Sequence, residues 1–161
     1  MVSDSTSTFR ARVRRSSSIA EGLVDPLFGS AAVDEAVSDT AWIQAMLDFE
    51  AALAHAEADA GLVPLDVATE IAAACSATSF DPAEIGRSST LSGNPAAPLI
   101  QALTEAVSAG AAQYVHLGAT SQDVIDTAFS LMAKRALGVI VDELSAAGSA
   151  CRLLPRGNRM P

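Results

Sequence analysis

At 161 residues the chain is about one domain, a size that buries roughly two thirds of its unfolded surface. Its net charge of −9 is unevenly placed: residues 16–150 hold eighteen acids against three bases, Arg87, Lys134 and Arg135. Such a body argues against nucleic acid or an anionic membrane as partner, while leaving open a small anionic substrate met by a local site. Half the residues are hydrophobic but only 4% are aromatic, and abundant Ala and Leu favour closely packed helices. No apolar run approaches the roughly 18 residues that a membrane span needs. Cys75 and Cys151 give neither a disulfide framework nor metal spacing and read as reduced thiols of a cytoplasmic protein.

Residues 1–20, with Arg10, Arg12, Arg14 and Arg15 ahead of Ser16 to Ser18, read as a disordered extension without the apolar core of a signal peptide. Leu23, Val24, Leu27 and Phe28 then offer apolar anchors. A first helix is expected from Asp34 or Asp39 to Ala60, with Trp42, Met46, Phe49, Leu53, Ala56 and Ala60 as its buried face. Gln44, Asp48, His55 and Asp59 fall off that stripe, and Gly61 followed by Pro64 marks a helix stop of the Schellman kind. A second helix follows to about Ala77, burying Val67, Ile71 and Cys75, the last as a small core residue. Asp81-Pro82 opens a short helix over Ala83 to Ser88.

Ser88-Ser-Thr-Leu-Ser-Gly-Asn-Pro95 is a polar loop in which Asn94 caps the helix that Pro95 begins. That helix buries Leu99, Leu103 and Ala106 and ends at Gly110. Ala111 to Leu117 is a connector. The densest polar cluster follows, His116-Leu-Gly-Ala-Thr-Ser-Gln-Asp-Val-Ile-Asp-Thr127. Thr120 and Ser121 are natural N-caps, and Asp123 stands at near capping-box spacing from Thr120. A helix start of this kind presents free backbone N–H groups and suits an anion. The long helix it opens runs to about Ala147 with an apolar surface wide enough for burial on several sides: Val124, Ala128 and Leu131 on one line, Ile125, Phe129, Met132, Ala136, Val139 and Ile140 on another. Residues 148–161 break the pattern with three Arg, two Pro and no helical period.

Three stretches carry a resemblance. His116-Leu-Gly-Ala-Thr-Ser-Gln-Asp123, Gly93-Asn-Pro-Ala-Ala-Pro-Leu99 and Asp39-Thr-Ala-Trp-Ile-Gln-Ala-Met-Leu-Asp-Phe-Glu50 together resemble the fumarase/aspartase superfamily, and within it the 3-carboxy-cis,cis-muconate cycloisomerases. Adenylosuccinate lyases have a related T-S-x-D segment but usually a His-Asp pair where this chain has Asn94-Pro95. The resemblance covers about Leu23 to Ala147. It implies an all-α protein: an N-terminal helical domain over residues 21–147 with the start of a long central bundle. It also implies a homotetramer whose active sites draw on three subunits, a small polycarboxylate substrate, no cofactor and no metal. Ser92, Gly93 and Asn94 match one substrate-binding loop, and Thr120, Ser121 and Gln122 match the segment that holds the substrate carboxylate. Fixed donors at a helix start would stabilise the carbanion-like species formed beside that carboxylate. His116 matches a motif position with a supporting role. Asp123 and Asp126 are expected to cap and hold the loop, not to move protons.

The family's G-R-T-H type segment and its G-S-S-x-M-P-x-K-x-N-P loop, which carries the proton-transferring Ser, do not occur here. The expectation is a truncated or frame-shifted product, with an atypical tail over 148–161, that closes no lactone by itself. The competing expectations are a fragment of an adenylosuccinate- or argininosuccinate-type lyase, or a non-catalytic helical piece that joins full-length subunits.

Overall fold

The computed structural model describes residues 29–153; the extension over 1–20, the anchors Leu23 to Phe28 and most of the atypical tail lie outside it. Among the described residues there are seven α-helices, one 3-10 turn and no strand, as the all-α reading expects. The helices are α1 (Ala31–Ala36), α2 (Asp39–Asp59), α3 (Leu65–Ala74), α4 (Pro82–Ser92), α5 (Ala96–Ala106), α6 (Ala109–Ala112) and α7 (Ser121–Leu153), with the turn at Ala77–Ser79 between α3 and α4.

Local chemistry sets most boundaries. Ser38 caps α2 by accepting from the Ala41 N–H at 3.2 Å. At the far end Gly61 takes φ +74°, and the Leu62 and Gly61 N–H groups donate to the Glu57 and Ala58 carbonyls, each at 2.9 Å. That is the Schellman closure the Gly61 position foretells. Asp81 caps α4 through the Ala83 N–H at 2.9 Å, with Pro82 in the first turn. The Asn94 side chain accepts from the Ala97 N–H at 3.1 Å and caps α5.

Four boundaries depart from the sequence reading. The second helix stops at Ala74, and the chain turns through Ala77–Ser79 instead of continuing to Ala77. Helix α4 runs on to Ser92, because Ser89 and Thr90 fold their hydroxyls back onto the Ile85 and Arg87 carbonyls and stay helical. Helix α5 ends at Ala106, with Val107 as its C-cap, not at Gly110. There Ser108 caps α6, and the Glu70 carboxylate accepts from the Ser108 N–H at 2.6 Å and its hydroxyl at 3.1 Å. Helix α7 passes through Gly148 to Leu153, since one glycine in a long helix costs only about 1 kcal/mol.

The core gathers where α2 packs on α3 and α7. Met46, Leu47, Ile71, Leu99, Leu103 and Val124 are its largest fully buried side chains. The buried face of α2 is Ile43, Met46, Leu47, Glu50, Ala54 and Glu57, rotated from the expected stripe, while Ala56 and Ala60 are exposed. Ala106 of α5 is exposed too. Gln44 is half-buried and structural: its amide donates to Asp48 at 2.8 Å and to the Cys75 carbonyl at 3.2 Å, and its oxygen accepts from the Ala77 N–H at 2.9 Å. It thereby ties α2 to the turn after α3.

At roughly 50 Å, α7 outruns the rest of the molecule. Val124, Ala128 and Met132 are buried, and Phe129 meets Trp42 edge-on with ring centroids 6.5 Å apart. Beyond them Leu137, Val141, Leu144 and Leu153 are exposed, as is 63% of Phe129. Among the described residues the wide apolar surface is covered on one side only.

Candidate active site

The two polar segments are built differently. In the first, Ser92 is the last residue of α4, and Gly93 turns the chain with φ +74°. The Ser92 hydroxyl donates to the Asn94 carbonyl at 2.7 Å. Asn94 is half-buried, with its oxygen committed to the α5 cap. Among the described residues the side-chain hydrogen bonds of this segment stay within residues 89–97.

In the second, Gly118 turns the chain with φ +73° into the α7 start. The Thr120 N–H and hydroxyl both donate to Asp123 Oδ2 at 2.8 Å, and the Asp123 N–H returns to the Thr120 hydroxyl at 3.4 Å. This is a reciprocal capping arrangement. The two Thr120 bonds hold the Asp123 carboxyl below its ordinary range. Gln122 donates to Asp126 at 2.6 Å. Asp123 and Asp126 therefore hold the helix start. Ser121 is half-buried, with no side-chain bond among the described residues.

The two segments share no hydrogen bond among the described residues. A cavity of about 460 Å³ between α4 and α5 is lined by Asp81, Glu84 and Glu105, which makes it unsuited to an anion. Another of about 450 Å³ is lined by Trp42, Met46, Ile85, Ser89 and Pro95. Neither includes Thr120, Ser121 or Gln122.

Just before the α7 start His116, expected in a supporting role, has a partner that the sequence reading did not find. His116 Nδ1 sits 2.7 Å from Glu50 Oε1, although 66 positions separate the two residues. Glu50 is 2% exposed, the His116 side chain 16%. Burial raises the Glu50 carboxyl above its ordinary range; the His116 bond opposes this and nearby Glu57 adds to it. Glu57 is also buried and raised, again chiefly by burial. Among the described residues Oε2 of each acid lacks a partner. The signal was present: Glu50 falls four positions after Met46, on the packed face of α2, and an acid there needs a partner in a body with few bases.

The remaining candidates are bland. His55 is exposed on α2. Cys75 is buried, its thiol pushed up to about 12 by burial and then by Glu50 and Asp48, so it makes a poor nucleophile. Among the described residues no group of three or more His, Cys, Asp or Glu is arranged to hold a metal ion, and no helix is long and apolar enough to cross a membrane.

Comparison with known proteins fits this architecture. A family model described as "Lyase" matches residues 21–150. The chain is 46% identical over 140 residues to a 3-carboxy-cis,cis-muconate cycloisomerase of Bradyrhizobium diazoefficiens, covering 85% of this chain and 31% of that protein. It is 37% identical over 155 residues to a nitrosuccinate lyase of Streptomyces davaonensis, covering 94% of this chain and 33% of that one. The crystal structure of the 3-carboxy-cis,cis-muconate lactonizing enzyme from Pseudomonas putida superposes with a TM-score of 0.70 at 46% identity, over 73% of this chain and 28% of that one. The chain thus spans about a third of the length of the curated relatives it matches. With the family match running from before α1 nearly to the end of α7, the chain belongs to the lyase family of the fumarase/aspartase superfamily.

Proposed function

We propose that this chain supplies the carboxylate-holding part of a 3-carboxy-cis,cis-muconate cycloisomerase, which closes its tricarboxylate substrate to a carboxymuconolactone in aromatic catabolism. The observation that carries the reading is the 46% identity to the Bradyrhizobium enzyme across 85% of the chain, a span that includes most of the helical body. Adenylosuccinate lyases match less of the chain at lower identity, 37% over 64% in the Methanothermobacter protein. In this reading Thr120, Ser121 and Gln122 at the start of α7, with Ser92, Gly93 and Asn94 from the other segment, bind substrate. The backbone N–H groups and dipole of a 33-residue helix favour a carboxylate at its start. Thr120 and Gln122 would exchange their bonds to Asp123 and Asp126 for bonds to substrate. Proton transfer falls to a serine of the kind the family carries in its G-S-S segment, so these residues bind and do not catalyse.

The apolar stripe of α7, including Phe129, Leu137, Val141 and Leu144, supports assembly with further copies into the family's tetramer. The setting is the cytoplasm, with no cofactor required. The experiment is titration of the purified chain with 3-carboxy-cis,cis-muconate, following binding by calorimetry and lactone formation by ultraviolet absorbance. Binding without turnover is the expected result. Lactone formed by the chain alone contradicts the division of labour, and absence of binding contradicts the site.

A further inference from the structure

We propose that Glu50 is the positioning residue of His116: its buried carboxylate accepts the Nδ1–H, fixes that tautomer and leaves Nε2 as the ring nitrogen offered to ligand. Three observations carry this. First, Glu50 sits on the packed face of α2, 2% exposed, where an apolar side chain would pack at less cost. Its one side-chain bond among the described residues is to His116, and Oε2 has no partner. Second, His116 is the one non-glycine residue with positive φ among those described, at 58°. Histidine tolerates that region better than most side chains, and the turn it makes there sets the direction from which its ring meets α2. The bond to Glu50 is the tie that anchors this ring to the core. Third, His116 Nε2 has no hydrogen-bond partner among the described residues, the ring keeps 16% of its surface exposed, and it stands four positions ahead of Thr120.

Other cations are few among the described residues. Arg135 is paired with Asp48, Arg87 lies on α4, and Lys134 and Arg152 lie farther along α7. The free Nε2 therefore belongs to the ionisable nitrogen-bearing side chain nearest in sequence to the α7 start. In the neutral ring it accepts a proton from a bound water or carboxylic acid; in the protonated ring it donates to a carboxylate. An orienting partner on the other nitrogen decides which face of an imidazole does the work.

The inference rests on the proposed function for its ligand class alone, so its test has two arms. The ring nitrogens of the ¹⁵N-labelled full chain are read by long-range proton–nitrogen correlation at about pH 9, above the ordinary histidine range. His116→Gln identifies the signals against those of His55. Wild type is expected to show a protonated Nδ1 and a bare Nε2. Glu50→Gln, whose amide can donate to Nδ1, is expected to shift the balance toward Nε2–H, while Glu57→Gln keeps the wild-type pattern. An Nε2–H tautomer in wild type, or one unmoved in a folded Glu50→Gln, overturns the proposal; the wild-type spectrum decides even where the variant does not fold. In the second arm tricarballylate, a stable tricarboxylate, is added. It is expected to move Nε2 more than Nδ1 and to bind roughly tenfold more weakly to Glu50→Gln. The expected tautomer with no response to tricarballylate counts against the carboxylate-site reading and leaves the role of Glu50 standing.

Discussion

The segments Ser92–Asn94 and His116–Gln122 look alike as strings of small polar residues before a helix, yet the molecule supports them in opposite ways. The first is self-contained, its bonds running among residues 89–97. The second is fastened to the core, because Glu50 reaches from α2 to His116. A helix start that must hold a charged ligand benefits from such a brace, since preorganised donors need not reorganise on binding.

The largest blow to both segments together is a hole in the core they share. Leu99→Ala, at 1% exposure one turn behind Asn94, should cost about 3 kcal/mol in denaturant unfolding. It should lower the midpoint for both segments at once, as cooperative unfolding requires. Cap removal separates them. Asn94→Ala and Thr120→Ala should each cost about 1 kcal/mol, the usual value of a lost N-cap. Both should also weaken tricarboxylate binding by more than their effects on folding explain, Thr120→Ala the more strongly because its segment is fastened to the core.

Titration sharpens the contrast further. Asp123, held below its ordinary value, contributes stability above the unfolded carboxylate pKa, and that contribution fades as pH falls through the folded value. Glu50 and Glu57, raised by burial, run the other way. The folded state holds their protons more tightly, so their contribution is greatest below the ordinary carboxylate range and is lost as pH rises through the raised values. Stability should therefore peak at mildly acidic pH. Asp123→Asn should weaken the acid-side fall, and Glu57→Gln should flatten the neutral-side fall and raise the melting temperature at pH 7. A neutral-side slope unchanged in Glu57→Gln would remove Glu57 from this account.

What could be read from sequence was what short-range chemistry decides. Asp81-Pro82, Asn94 before α5, Gly61 after α2 and the Thr120–Asp123 spacing each predict a local bond that the structure contains. Helix α2 was located, but its buried face was misjudged. Alanine recurs all round it, so apolar spacing leaves its direction undetermined, and two glutamates lie on the packed face. The ends of α4, α5 and α7 were misplaced for related reasons. Serine hydroxyls can satisfy helix carbonyls, Glu70 creates a cap from 38 positions away, and a lone glycine need not end a helix. The Glu50–His116 bond was beyond local pattern altogether, because it requires the packing of α2 against the segment before α7 to be known first.

Amide hydrogen exchange in wild type and Glu50→Ala tests the brace most directly. The Thr120 and Asp123 amides report on the α7 start, and the Gly93 and Ala97 amides report on the other segment. Removing the Glu50 carboxylate should accelerate exchange at Thr120 and Asp123 while leaving Gly93 and Ala97 at their wild-type rates. Equal acceleration at all four, or none at Thr120 and Asp123, would contradict the claim that the start of α7 is fastened to the core through His116.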